Sequence, residues 1–155
     1  MPQSYDIRTV RRSDMAALVD LCAAHARYER APYHQDGKAA RLRELLFERT
    51  ARLFGFVVDG PDGLVGYATY TVQWSTWDAA SYLYMDCLYL DADVRGRGIG
   101  ERLVQRIIAE ARTRECQAVE WQTPIFNTRA MTFYDRLGAD GTEKVRYRLA
   151  VDSHA

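Results

Sequence analysis

Hydrophobic and polar residues along this chain change period several times, and each change marks an element. The run Tyr5-Asp6-Ile7-Arg8-Thr9-Val10 alternates with a period of two, as a short half-buried strand does. From Met15 the apolar positions Leu18, Val19 and Cys22 recur at helical spacing, and Ser13 or Asp14 stands where an N-cap belongs. Residues 28–35 break that rhythm, with Pro32 disfavouring helix at the residue before it, and Lys38 to Phe47 resumes it through Leu42, Leu45 and Leu46. Two helices are expected, joined by a loop that carries acid, aromatic and imidazole groups, Glu29 and His34 among them.

Residues 53–58 and 64–72 read as strands joined through the turn formers Asp59-Gly60-Pro61-Asp62-Gly63, hence an antiparallel hairpin. A second turn is expected over 73–80. The run 81–90 has few polar interruptions and predicts a strand buried on both faces. Ile99, Leu103, Ile107 and Ala111, flanked by Val104 and Ile108, form a helical apolar stripe, and residues 117–123 read as another strand. Strand, helix, strand in that order is a crossover unit, so these two strands should run parallel with the helix over one face. Asn127 or Thr128 starts a last helix through Ala130, Met131, Phe133 and Leu137 to Gly138, and the alternation over 144–151 predicts a closing strand. The expected class is α/β (α+β), a mixed central sheet flanked by helices, in a single domain over 3–151.

Composition narrows the function. The 155 residues suffice for one domain with a core, and the formal net charge of zero gives nucleic-acid binding no global electrostatic support. The start, Met1-Pro2-Gln3-Ser4-Tyr5-Asp6, lacks a signal-peptide core, and no run approaches the roughly 20 apolar residues of a membrane span. Three cysteines, Cys22, Cys87 and Cys116, have neither disulfide-framework nor zinc-site spacing. A cytoplasmic protein without a metal, with no nucleic-acid or membrane partner, is the expectation.

The candidate chemistry begins at Arg95-Gly96-Arg97-Gly98-Ile99-Gly100, between the third strand and the striped helix. Glycines at alternate positions let backbone N–H groups converge on an anion where a helix starts. A dinucleotide fingerprint would need glycine where Glu101 stands, and a Walker A loop would need a Gly-Lys-Ser/Thr ending that is absent. A glycine-rich turn without a ligand is the bland alternative.

Arg95-x-x-Gly98-x-Gly100 resembles the pyrophosphate loop of the GNAT superfamily of acyl-CoA-dependent N-acyltransferases, and Asn127-x-x-Ala130-x-x-Phe133-Tyr134-x-x-x-Gly138 resembles a second segment of it. Tyr28-Glu29, the aromatic turn and Leu83-Tyr84-Met85-Asp86 are most similar to the spermidine/spermine and thialysine acetyltransferase branch. The resemblance implies acetyl-CoA as cosubstrate and a bulge near Cys87 and Leu88. Leu88, Tyr89 and Leu90 would then offer their backbone to the pantetheine arm. The pyrophosphate would rest on the N–H groups of Arg97, Gly98, Ile99, Gly100 and Glu101, with Arg95, Gly96 and the arginine guanidiniums beside it. Asn127 and Ala130 would contact the cofactor, and the branch implies a homodimer.

Acyl transfer to an amine needs a neutral amine and a protonated leaving thiol. A lysine-like amine lies about three pK units from neutrality at physiological pH, a cost of roughly 4 kcal/mol, so a base is useful. The resemblance makes Tyr134 the acid for the departing thiolate and Asp86 the base or the attractor of the ammonium, with Glu120 in reserve. Cys87 has no activating base in the sequence, which argues against an acyl-cysteine; it also stands where the polyamine enzymes carry a second acid, so polyamine preference is in doubt. Trp77, with Trp74 and Asp78, offers a cation platform, and Glu29 a second carboxylate. A small-molecule primary amine is the expected acceptor. Peptide acceptors and a non-catalytic acyl-CoA sensor are the rivals.

Overall fold

A computed structural model describes residues 4–152, so the expected lower domain boundary at residue 3 lies outside the described residues. Two compact units divide between Pro124 and Ile125. The first contains β1 (Asp6–Thr9), α1 (Met15–Tyr28), α2 (Lys38–Phe47), β2 (Phe54–Gly60), β3 (Gly63–Ser75), β4 (Ala80–Leu90), α3 (Ile99–Thr113) and β5 (Val119–Glu120). The second contains α4 (Thr128–Arg136).

The sheet runs β1-β2-β3-β4-β5, antiparallel throughout except for the parallel β4–β5 pair that the α3 crossover requires. Alternation along the strands feeds two cores. Phe56, Val58, Leu83 and Met85 meet the α3 stripe of Ile99, Leu103, Ile107 and Ala111 on one face. Val57, Tyr67 and Tyr89 meet Met15, Leu18 and Leu21 of α1 and Leu46 of α2 on the other. Strands of the sheet centre are thus apolar on both sides, as the run over 81–90 predicts.

One irregularity in β4 matters more than its length. Thr69 pairs with Cys87 but Tyr70 pairs with Met85, so Asp86 is the extra residue of a β-bulge, one position before the expected place. An extra residue reverses the parity of everything after it. Before the bulge Leu83 and Met85 face α3; after it Leu88 and Leu90 do, while Cys87 and Tyr89 turn to α1.

Two expected strands differ from the structure. Over 117–123 only Val119–Glu120 pairs, opposite Leu83 and Tyr84. The bulge turns β4 away just beyond that point, Pro124 has no N–H to donate, and the Gln122 side-chain amide donates to the Tyr84 hydroxyl at 2.7 Å in place of a ladder bond. Residues 144–151 form no strand at all and are exposed. Alternation makes a strand only where a neighbour's backbone completes the ladder, and no such pairing exists among the described residues.

Candidate active site

The glycine turn follows β4 through a 3-10 turn at Ala92–Val94. Gly96 and Gly98 take φ of 77° and 78°, where an L side chain would be strained. Gly98 is the N-cap of α3 and has no side chain to cap it; the first intrahelical bond is from the Arg102 N–H to the Gly98 carbonyl at 3.2 Å. The amides of Ile99, Gly100 and Glu101 therefore sit at the positive end of a 15-residue helix with no helical acceptor of their own. Arg97 is exposed beside them, its Nη2 at 3.4 Å from the Asp93 carbonyl. Arg95 points elsewhere. Its guanidinium covers the ring of Tyr28 at 4.4 Å and that of Tyr89 at 5.5 Å, and its Nε donates to the Leu90 carbonyl at 2.9 Å.

That last bond identifies the open edge of β4. The Asp91 N–H donates to the Val65 carbonyl of β3 at 2.8 Å, and backbone groups alternate between the two edges of a strand, so those of Leu88 and Leu90 face away from β3. Pairing with β5 ends at Tyr84, and no strand among the described residues covers β4 beyond it. Asp86 lies exposed where the edge opens. In that place the carboxylate meets a cation arriving from solvent. Glu120, the reserve acid, is exposed on β5 opposite Tyr84.

On the α1 side of the bulge lies a cluster that the linear sequence does not announce. The Tyr67 hydroxyl is 2.7 Å from Nδ1 of His25, and Nε2 of His25 is 2.7 Å from the Glu29 carboxylate. Tyr67 also bonds the thiols of Cys22 and Cys87, and the Cys87 thiol reaches toward Asp86 at 3.7 Å. Burial, then the Asp86 charge, pushes the Cys87 thiol up to about 12, so it is protonated at neutral pH and is no nucleophile. Burial likewise raises Tyr67 far above the ordinary phenol range and keeps it a donor. The bulge brings Glu29, Asp86, Tyr89 and Arg95 into this one connected set. In the linear sequence His25 reads as amphipathic filler of a helix or a weak candidate base, and its i,i+4 spacing to Glu29 is the one signal of this bond.

Trp77 stands apart. It is 98% exposed in the turn between β3 and β4, with Trp74 exposed nearby and Asp78 accepting from the Gln117 amide at 2.9 Å. From Ala80, where β4 starts, to the bulge at Asp86 is about 20 Å at the strand rise of about 3.3 Å per residue.

In the second unit, Asn127 is the buried N-cap of α4, its Oδ1 accepting from the Ala130 N–H at 3.3 Å. Tyr134 is half-buried one position after Phe133, the two rings 5.4 Å apart, and Gly138 at φ 88° follows the helix C-terminus. An open cleft of the first unit, about 330 Å³, lies elsewhere, between Phe47, Phe54, Tyr70, Glu110 and Arg114. That is the opposite end of α3 from its glycines.

The β4 edge beyond Tyr84 thus runs out beside a helix N-terminus whose first amides have no helical acceptor. The sequence profile of the acetyltransferase (GNAT) family matches residues 18–139, and the chain belongs to that family. It is accordingly an acetyl-CoA-dependent N-acetyltransferase. It is 27% identical over 141 residues to the thialysine N-epsilon-acetyltransferase of Bos taurus, covering 86% of this chain and 82% of the relative. With the D-amino-acid N-acetyltransferase HPA3 of Saccharomyces cerevisiae it shares 31% identity over 84 residues, 54% of this chain and about half (52%) of that protein. The fold matches aminoglycoside N-acetyltransferase AAC(6')-Iy, solved in complex with CoA, at a TM-score of 0.81 and 17% identity over 98% of each chain.

Proposed function

We propose that the acetyl acceptor is the primary amine of a small molecule, a polyamine, a diamine or an amino-acid-like compound, and that it attacks directly in a ternary complex. The observation that carries the reading is the open β4 edge, with Asp86 at its start and the bare α3 terminus at its end. Leu88 and Leu90 would hold the pantetheine arm as an added strand holds its neighbour, while the backbone groups of Tyr89, expected there too, face β3 instead. The amides of Arg97 through Glu101, across Gly98, Ile99 and Gly100, would hold the pyrophosphate, with Arg97 supplying charge and Gly96 the turn. Bound there, acetyl-CoA supplies the acetyl thioester.

Asp86 draws in the ammonium and takes one proton on its way to water, the freed nitrogen bonds the acetyl carbon, the carbon–sulfur bond breaks, and the nitrogen gives up its second proton to become the neutral amide. Tyr134 donates its hydroxyl proton to the departing sulfur, a transfer uphill by about 1.5 pK units from a phenol near 10 to a thiolate near 8.5, and the proton shed by the nitrogen restores the phenol. Glu29 completes the acceptor side, with Trp77 available to the far end of a long polyamine alone, and Asn127 and Ala130 complete the cofactor side. Thialysine and D-amino-acid acetylation by two relatives supports the small-molecule reading. One domain over 3–151, a cytoplasmic location, to which three free thiols are suited, and a homodimer belong to the same proposal.

Free-thiol release from acetyl-CoA, measured against polyamines, diamines, amino acids and peptides, tests it. Turnover of a small amine with intersecting initial-velocity lines is expected, and Tyr134→Phe should lower kcat about 10²-fold. Turnover of peptides alone, parallel lines, or no thiol release with any amine would each overturn the reading.

A further inference from the structure

Glu29 is badly placed for the stability of α1. It is the C-cap, where the partial negative charge of the helix terminus disfavours a carboxylate, yet His25 one turn earlier fixes it by a 2.7 Å bond. His25 is itself fixed on every side. Its ring stacks on Tyr89 at 5.1 Å and 24°, meets Tyr67 edge-on at 5.7 Å, and its side chain is only 12% exposed. Around it stand Glu29, Tyr28 and Cys22 from α1, Tyr67 from β3, Tyr89 and Cys87 from β4, and Arg95 over the rings of Tyr28 and Tyr89.

The bonds have only one consistent direction for a neutral ring. A carboxylate accepts, so Nε2 carries the hydrogen; Nδ1 then has only a lone pair, so the Tyr67 O–H donates to it, leaving the phenol oxygen to accept from the Cys22 thiol, while the single S–H of Cys87 goes to Asp86. The line begins at the half-buried Cys22 thiol and ends on a carboxylate whose side chain is 32% exposed. A cation arriving from solvent meets that carboxylate and the negative helix end together.

We propose that His25 is a positioning residue of the acceptor site: through its Nε2–H it holds the Glu29 carboxylate as the seat for the acceptor's ammonium group. The proposal rests on the acetyltransferase reading above and assigns no part in bond-making to the imidazole.

Two substitutions separate positioning from a plain tether of α1 to the sheet. His25→Gln keeps a donor near the Nε2 position and loses the acceptor for Tyr67; His25→Asn keeps an acceptor near Nδ1 and loses the bond to Glu29. Steady-state kinetics use the panel amine with the lowest KM, with thermal unfolding of each variant in parallel. For His25→Asn and for Glu29→Gln the acceptor KM should rise about tenfold, with kcat and the acetyl-CoA KM within about twofold, the size expected for loss of one charge-assisted bond. His25→Gln should stay within about threefold, and the double variant joining His25→Asn with Glu29→Gln should be no worse than either alone. In the wild-type protein, histidine ¹⁵N spectra at pH 8 should show the Nε2–H tautomer for His25.

Equal damage from Gln and Asn, a loss falling on kcat or on acetyl-CoA, additivity of the double variant, or a doubly protonated ring would overturn the proposal while wild-type turnover stands. Absence of thiol release by the wild type with every amine would instead remove the acetyltransferase reading of this site, and this proposal with it.

Discussion

Arg95 reaches back across the 3-10 turn at Ala92–Val94 and donates from Nε to the carbonyl oxygen of Leu90, 2.9 Å away. It thereby uses one acceptor of the open β4 edge and pins the start of the turn to the end of the strand, while Tyr28 and Tyr89 cover its guanidinium. The arginine that the glycine motif contributes is thus a clamp on the loop, set against α1. Arg95→Ala gives up a charge-assisted bond of about 1.5–3 kcal/mol and cation–π contacts of about 0.5–1 kcal/mol, so the acetyl-CoA KM should rise on the order of tenfold or more. Arg95→Lys should recover only part of that loss, because an ammonium lacks the planar donor fork that reaches Leu90 and stacks. Calorimetric titration with acetyl-CoA reads both, and an unchanged affinity for Arg95→Ala would remove the clamp.

Gly66 lies opposite Leu90 in the β3–β4 ladder. A Cβ there would stand 2.5 Å from Leu90 Cδ2 and 2.7 Å from the Tyr89 carbonyl oxygen, and the second of these is backbone that cannot rotate away. Gly66→Ala must therefore displace β4 at the place proposed for the pantetheine arm. A loss of about 1–3 kcal/mol in urea unfolding is expected, together with weaker acetyl-CoA binding. Gly141→Ala, where a Cβ meets nothing within 4 Å, serves as the control and should change neither.

Acid stability should depend on Asp14. Both of its oxygens accept from Arg8, at 2.8 and 3.0 Å, and one also accepts the Arg11 N–H at 2.7 Å. The Arg8 bonds, against the opposing effect of burial, hold the Asp14 carboxyl below the ordinary range. A depressed native value means that the unfolded chain takes up the proton first. The stabilisation is therefore complete above the unfolded value of about 3.9 and is lost as pH falls from there through the native value. Asp14→Asn should destabilise by about 1–3 kcal/mol at pH 7, and the gap to wild type should close as unfolding is measured toward pH 3. A gap that stays constant from pH 7 to pH 3 would show that this pair does not govern the acid limb.

Elements with a local cause were legible in the sequence. Lys38–Phe47 and the α3 stripe follow from periodicity alone, and the parallel β4–β5 pair follows from the order of strand, helix and strand. The bulge at Asp86 was inferred from resemblance, one residue away, because nothing in the run 81–90 marks where a ladder will slip. The alternation over 144–151 misled for the opposite reason: it expresses what those side chains would prefer in a strand, and pairing needs a second backbone. Of the candidate site, the glycine turn could be read in one dimension. The Tyr67–His25–Glu29 line could not, since Tyr67 comes from β3 and its meeting with α1 depends on the packing of a helix across the sheet.

Trp77 is the place where geometry narrows the sequence reading most. A side chain 98% exposed adds nothing to the core, so Trp77→Ala should leave stability within about 0.5 kcal/mol. Its separation from Asp86, about 20 Å or more along β4, exceeds the reach of a lysine-sized acceptor whose reacting nitrogen is at the bulge. An aromatic platform there can serve only a long, extended polycation. The expected result is a KM for spermine that rises about three- to tenfold in Trp77→Ala, in line with a cation–π contact of about 0.5–1 kcal/mol or somewhat more, while the KM for lysine-sized amines does not move. Sedimentation of the same variant separates the other use of an exposed tryptophan: conversion of a wild-type dimer to monomer, with both amine KM values unchanged, would assign Trp77 to the subunit contact and remove it from the acceptor site.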